Sequence, residues 1–402
     1  MASVLVIGGQ GRIGASVARD VLKYTDAQVT VTGRRIPPTS NATTANATTA
    51  NITTGQSPED ARRLAAIALD LDHRDALNQA IAAHDLVIHC AGPFHYRDAR
   101  VLQCCIDQGV DYLDVSDCVP FMKKALALHQ AAQAAGVTAI INTGVFPGMS
   151  NSMVRLGMET FAHQTGRQAQ TIRLYYAVAG SGGAGVTVLR TTFLGLQQPF
   201  NAWINGQWQQ KMPYSDRQVI TFPAPYGKVG LYWYEVPETI TLAQSFPVKT
   251  VITKFGSIPD LYNWLTWLVA HWFPKSWIQN PVNIEALSQV SYRMTQVSDR
   301  FSGTGIAMTV EVTDEVTDEV TDEEVDGADG GKKANTDAAA THRVTLAHPD
   351  TAIAAGAGTG SLAQLILAKQ LHQPGVHPVE AALSTALFKE VMAQRQIQLI
   401  HQ

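Results

Sequence analysis

The chain has 402 residues, 46% of them hydrophobic, with a formal net charge of −4. That length exceeds what a single hydrophobic core usually sustains, so two structural units are expected, and the weakly acidic balance gives no basic surface for a nucleic-acid partner. Four cysteines, Cys90, Cys104, Cys105 and Cys118, show neither metal-ligand spacing nor a disulfide framework, and Val4 to Ile7 follows Met1 without the basic flank or length of a secretory signal, so a cytoplasmic address is expected and no metal.

In chain order, short β-branched runs alternate with helical patterns through the first third. The expected strands are Val4 to Ile7, Gln28 to Thr32, Ile67 to Leu71, Leu86 to Cys90, Tyr112 to Val115 and Thr138 to Asn142. Helices are expected at Ile13 to Lys23, Arg62 to Ala66, Arg74 to Ala83, Arg97 to Gln108 and Phe121 to Ala135. That alternation predicts an α/β class: an N-terminal Rossmann domain with a doubly wound parallel sheet over 1–150. After about Ser150 the texture changes to longer strands such as Thr171 to Val178, the turn Asn205-Gly206, and all seven tryptophans. A second α+β domain with a mixed or antiparallel sheet is expected over 151–355, serving substrate or dimer contacts and closing with Gly305 to Val312 paired to His342 to Ala347. Helices near Ser361 to Leu371 and Val379 to Gln394 are expected to complete the first domain from 356–402.

Two segments read as low-complexity inserts. Residues 41–55 repeat Asn-Ala-Thr-Thr-Ala and end as Asn-Ile-Thr-Thr-Gly, too polar to form a core. Residues 312–331 repeat Val-Thr-Asp-Glu; the carboxylates are of the kind calcium takes, but the spacing is not that of an EF-hand loop, so a solvated loop is expected. The stretch Leu261 to Phe273 is apolar on most faces and bracketed by Pro259 and Pro274, too short to span a bilayer. A buried helix is expected there; a helix resting on lipid is the disfavoured alternative.

The run Val4-Leu-Val-Ile-Gly8-Gly9-Gln10-Gly11-Arg12-Ile13-Gly14 places glycines between a buried strand and a helix. Gly9, Gly11 and Gly14 fit G-x-G-x-x-G, and Gly8, Gly11 and Gly14 fit the related G-x-x-G-x-x-G. Either spacing permits a tight turn and brings backbone amides at the helix N-terminus to a pyrophosphate. The second strand ends in Gly33 where an NAD-binding protein carries an acid, and Arg34 and Arg35 follow. A guanidinium there donates to a 2′-phosphate, so NADP is the expected cofactor. Asp70, after the third strand, either hydrogen-bonds adenine or caps the next helix. Cys90-Ala91-Gly92-Pro93-Phe94 is either a close passage by the cofactor or a plain turn.

These features resemble the saccharopine dehydrogenase-like NADP-binding oxidoreductase family, in particular its cyanobacterial and chloroplast branch. The resemblance rests on Gly8-Gly-Gln-Gly-Arg-Ile-Gly14, Ala91-Gly-Pro-Phe94, Tyr112-Leu-Asp-Val-Ser-Asp117, Gly144-Val-Phe-Pro-Gly-Met-Ser-Asn151, Ala179 to Gly185 and Gln373 to Glu380. It implies that the C-terminal segment returns to the nucleotide-binding domain. It also implies that Ala91, Gly92 and Pro93 border the cofactor and that Pro147, Gly148 and Asn151 lie near its nicotinamide end. Family members proper reduce an imine formed from an amine and an aldehyde or keto acid, but many relatives with this name have no assigned substrate, so the resemblance leaves the substrate of this chain open.

Because hydride chemistry belongs to the cofactor, few acid–base groups are needed. The candidates are His95, Tyr96, Asp117 and Tyr175 or Tyr176. The leading expectation is hydride transfer to or from a small C=N or C=O substrate. The alternative is a non-catalytic NADP(H)-binding redox regulator, with lipid association and a homodimer both left open.

Overall fold

The computed structural model describes residues 1–34, 57–180, 182, 185–196, 198–278, 280–316 and 339–402. The apolar runs of the first third become β1 (Ser3–Ile7), β2 (Gln28–Gly33), β3 (Leu64–Ala68), β4 (Leu86–His89), β5 (Asp111–Asp114) and β6 (Thr138–Ile141). All pair in parallel. Val4 to Ile7 are at most 1% exposed, so helices cover both faces and the strand reads as an unbroken apolar run.

The remaining strands are β7 (Thr171–Ala179), β8 (Phe200–Ile204), β9 (Gln207–Lys211), β10 (Gln218–Phe222), β11 (Gly227–Trp233), β12 (Thr250–Ile258), β13 (Ile306–Thr313), β14 (Thr341–His348), β15 (Gly375–Pro378) and β16 (Ile400–His401). The first sheet runs β15-β6-β5-β4-β1-β2-β3, the doubly wound order extended by one strand from the far end of the chain. The second is mixed: β12 and β7 are parallel, while β13 pairs antiparallel with both β7 and β14. One core cluster joins the sheets, running from Val4 and Val6 through Met153 and Leu156 of helix Ser150–Thr165 to Leu174 and Val310.

Several boundaries differ from expectation. The helix expected at Arg62 to Ala66 is instead Pro58–Arg62, because Ser57 and Asp60 form a reciprocal capping box. Arg63 then donates to Thr25 O and Ala27 O, which tethers the chain so that β3 begins three residues before the expected strand. Helix Phe121 to Ala135 is two helices, Val119–Leu126 and His129–Ala134, and the helix expected from Arg97 begins at Arg100. The C-terminal helix expected from Ser361 spans Thr351–Leu367, and the last one is divided into Val379–Ala382 and Thr385–Gln394. Val312 and Thr313 are buried strand residues, not the start of an acidic insert. The rest of that tract from 317, and all of 41–55, lie outside the described residues.

The expectation of a buried tryptophan helix is overturned. Helix Leu261–Trp272 buries only Asn263 and Val269, while Trp264 is 57% and Trp272 74% exposed. It covers a satellite cluster of Phe193, Tyr214, Tyr232 and Ile284, so one face packs and the other is left to solvent. Among the described residues, no helix is long and apolar enough to cross a membrane.

Candidate cofactor cleft and reaction chamber

β1 ends at Ile7 and the chain turns through Gly8 at φ +80°, where a Cβ would lie 2.9 Å from the Ala91 backbone. At Gly14 a Cβ would lie 2.4 Å from Gly8 O, so both glycines are demanded by the turn itself. Gly9 packs on Val31 and does not face the cleft. Gly11 is different. It is the N-cap of helix Arg12–Tyr24, with no side-chain cap, and a Cβ there would meet only Gly8 O at 3.3 Å. Space is therefore left over the first amides of the helix, which have no intrahelical acceptor and carry the positive end of its dipole.

That space belongs to a cleft of about 430 Å³ at the carboxyl ends of β1 and β4, where the sheet order reverses. Gly8, Gly11, Arg12, Ile13, Gly14, Arg34, Asp70, Ala91, Gly92 and Pro93 line it. Arg35 lies outside the described residues. Asp70 does not cap the next helix: His73 does, accepting from Ala76 N at 3.2 Å, while Asp70 Oδ1 accepts from Asp72 N at 3.0 Å.

Sequence reasoning misses Arg97, which also lines the cleft, because in sequence it reads as the start of a helix. Its Nε donates to Ala91 O at 3.0 Å. Burial, and then the charge of Arg34, hold its guanidinium below the usual pKa. Two cations thus bear on one end of the cleft, and an anion there would relieve their repulsion. A cation just past the Ala-Gly-Pro-Phe turn was the available signal.

A second cavity of about 140 Å³ adjoins the cleft, walled by Val145, Phe146, Pro147, Val178, Tyr234 and Phe255. Ile13, Val115, Asp117, Val188 and Thr191 face both spaces. Asp117 sits on the loop after β5, and that loop is fixed from beneath. The buried Asp114 carboxylate accepts from Ser116 N and Asn142 N, each at 3.0 Å, and Asn142 Nδ2 donates to Ser116 O at 2.7 Å. Burial raises the Asp117 carboxyl to about 6. Burial, reinforced by Asp117, holds the Tyr234 phenol well above its usual pKa, so it stays protonated; its OH donates to Thr192 O at 3.4 Å.

The other acid–base candidates fall outside both spaces. His95 and Tyr96 lie on the turn Phe94–Tyr96, and Tyr96 is 59% exposed. Tyr176 stacks behind Phe146 at 4.7 Å and donates to Glu238 Oε1 at 3.0 Å, and Tyr175 lies on the opposite strand face near Gln218. Of the three residues implied for the nicotinamide end, only Pro147 reaches the chamber. Gly148 N donates to Asn151 Oδ1 at 2.8 Å and Asn151 Nδ2 to Glu380 Oε2 at 2.8 Å, so both are committed to a buried network behind it.

Residues 4–140 match the family model of the saccharopine dehydrogenase NADP binding domain. That match takes in the N-terminal third of the chain. Its cofactor is NADP, in keeping with a cleft that pairs an open helix N-terminus with Arg34 and Arg97. A probable mitochondrial saccharopine dehydrogenase-like oxidoreductase of Arabidopsis thaliana is 28% identical over 134 residues, 33% of this chain and 29% of that protein's length. Apo saccharopine dehydrogenase (L-Glu forming) from Saccharomyces cerevisiae superposes with a TM-score of 0.66 at 14% identity, covering 100% of this chain and 99% of that one. The saccharopine dehydrogenase fold therefore extends through both sheets.

Proposed function

We propose that the protein is an NADP-dependent oxidoreductase acting on a small C=O or C=N substrate where the cleft meets the chamber, with Asp117 handling the proton. The observation that carries this reading is that Asp117 is the one carboxylate among the described residues that faces both spaces. When bound, NADP supplies or accepts the hydride. The first amides of helix Arg12–Tyr24 hold the pyrophosphate, and Arg34, aided by Arg97, holds the 2′-phosphate. Ala91, Gly92 and Pro93 let the dinucleotide pass closely. The apolar chamber walls exclude water from the reacting carbon, and Asp117 Oδ donates to the substrate oxygen or nitrogen in reduction and accepts in oxidation.

The sign of the pH dependence follows. With a carboxyl pKa of about 6, reduction needs the protonated acid and falls as pH rises through 6, while oxidation needs the carboxylate and rises over the same interval. Rates of NADPH consumption from pH 5 to 8 against aldehydes, ketones, imines and keto acids test the reading. Tight NADPH binding with no turnover on any of them would leave a binding-only regulator instead.

A further inference from the structure

The chamber walls restrict what can enter far more than the cleft walls do. Among the described residues facing the chamber there is no lysine, arginine or histidine, Asp117 is the only carboxylate, and Tyr234 stays a neutral phenol. Phe146, Val178, Val188, Phe255 and Ala355 make up much of the remainder. A substrate carboxylate in this space would find no protein cation among the described residues to pair with and would meet the negative charge of Asp117. Burying an unpaired charge costs far more than an apolar wall returns. An uncharged apolar group meets only compatible surface.

We propose that this chamber selects substrates whose reacting carbon carries an uncharged apolar group, and that it rejects amino acids and keto acids. The proposal rests on the oxidoreductase reading above and names the substrate class of the same site.

Binding to the full chain preloaded with NADP+ tests it, with cyclohexanone as the neutral probe and 2-oxoglutarate and pyruvate as the charged ones, followed by calorimetry and ligand-observed NMR. Cyclohexanone is expected to bind at least about tenfold more tightly than either keto acid. Thr192 faces the chamber but not the cleft, and its Oγ1 bonds back to Val188 O, so helix Val186–Gly195 does not depend on it. Thr192→Phe should weaken cyclohexanone at least about tenfold and leave NADPH affinity unchanged, while the near-isosteric Thr192→Val should keep both. Tighter binding of a keto acid, indifference to Thr192→Phe in a folded variant, or cyclohexanone binding only to cofactor-free protein would overturn the assignment. The two readings fail separately. NADPH consumed with keto acids but not with neutral carbonyls keeps the oxidoreductase and removes the apolar selection. Cyclohexanone bound in the chamber with no NADPH consumed on any compound keeps the selection and removes the oxidoreductase.

Discussion

Gly11 and Gly14 stand three residues apart in one turn, yet they should respond oppositely to the same substitution. A side chain at Gly11 meets only Gly8 O, at 3.3 Å, and projects over the helix amides, so Gly11→Val is expected to lower NADPH affinity at least about tenfold with a much smaller fall in melting temperature than Gly14→Val. A side chain at Gly14 collides with Gly8 O and the Gly9 backbone, so Gly14→Val should lower the melting temperature whether or not cofactor is present. Calorimetry paired with thermal melts separates them; equal NADPH affinity in Gly11→Val and the unsubstituted protein would remove Gly11 from the site. On the proposed function, Arg34 would carry the cofactor preference. Arg34→Ala with Arg35→Ala should cost about 1.5 to 3 kcal/mol of NADPH binding and leave NADH binding nearly unchanged. A preference for NADPH that survives the pair would transfer the phosphate contact to Arg97. The glycines and Arg34 were legible because a strand, a turn and a helix start compress their meaning into a few residues. Arg97 was not, since its place depends on how the chain leaves the turn after β4.

At the scale of elements, helix Thr351–Leu367 shows where sequence reasoning falls short. Gly356, Gly358 and Gly360 each weaken a helix by about 1 kcal/mol relative to alanine, which argues for a later start. A Cβ at Gly356 would lie 2.7 Å from Ser16 backbone, and one at Gly360 would lie 2.1 Å from Asp20, so the glycines let this helix press against Arg12–Tyr24. Tertiary packing overrides propensity, and no local signal states it. Similarly, the apolar run from Leu261 is read as buried from composition, but coverage depends on neighbours far along the chain. Trp272→Ala should therefore change stability by less than about 0.5 kcal/mol, whereas Trp233→Ala should cost about 3 to 5 kcal/mol, since Trp233 is 2% exposed and its Nε1 donates to Asp216 at 3.1 Å. A large loss at Trp272 in chemical unfolding would mean that its face is covered after all.

Helices Ser150–Thr165, Glu238–Ser245 and Val379–Ala382 meet at two buried acids, Glu238 and Glu380. Glu238 Oε1 accepts from Ser150 Oγ at 2.8 Å as well as from Tyr176, and burial raises its carboxyl to about 7. The folded state thus holds this proton more tightly than the unfolded chain, so stability is greatest below pH 4.5 for this group and declines as pH rises towards 7. Glu238→Gln keeps an acceptor for Ser150 and Tyr176 and has no charge to bury. It is expected to stabilise the protein by about 2 to 4 kcal/mol at pH 8 and to change little at pH 4.5. Urea unfolding at the two pH values checks this; a stabilisation equal at both would assign it to packing and not to the proton.

For the whole molecule, the doubly wound order, the mixed second sheet and the β13–β14 pairing were legible, because period and turn chemistry are local. The junction of cleft and chamber was legible only in part: Asp117 stood among several acid–base candidates, and nothing short of the folded chain separates it from Tyr176, hidden behind Phe146, or His95, outside both spaces. On the proposed function, one side chain at the meeting of two cavities decides the chemistry. The most direct measurement is Asp117→Asn, with NADPH affinity and single-turnover reduction of a neutral carbonyl substrate followed on the same preparation. NADPH affinity should stay within about twofold while the reduction rate falls by roughly a hundredfold or more and loses its dependence on a group near pH 6. A reduction rate unchanged by the substitution, or the same pH profile in its absence, would contradict the account.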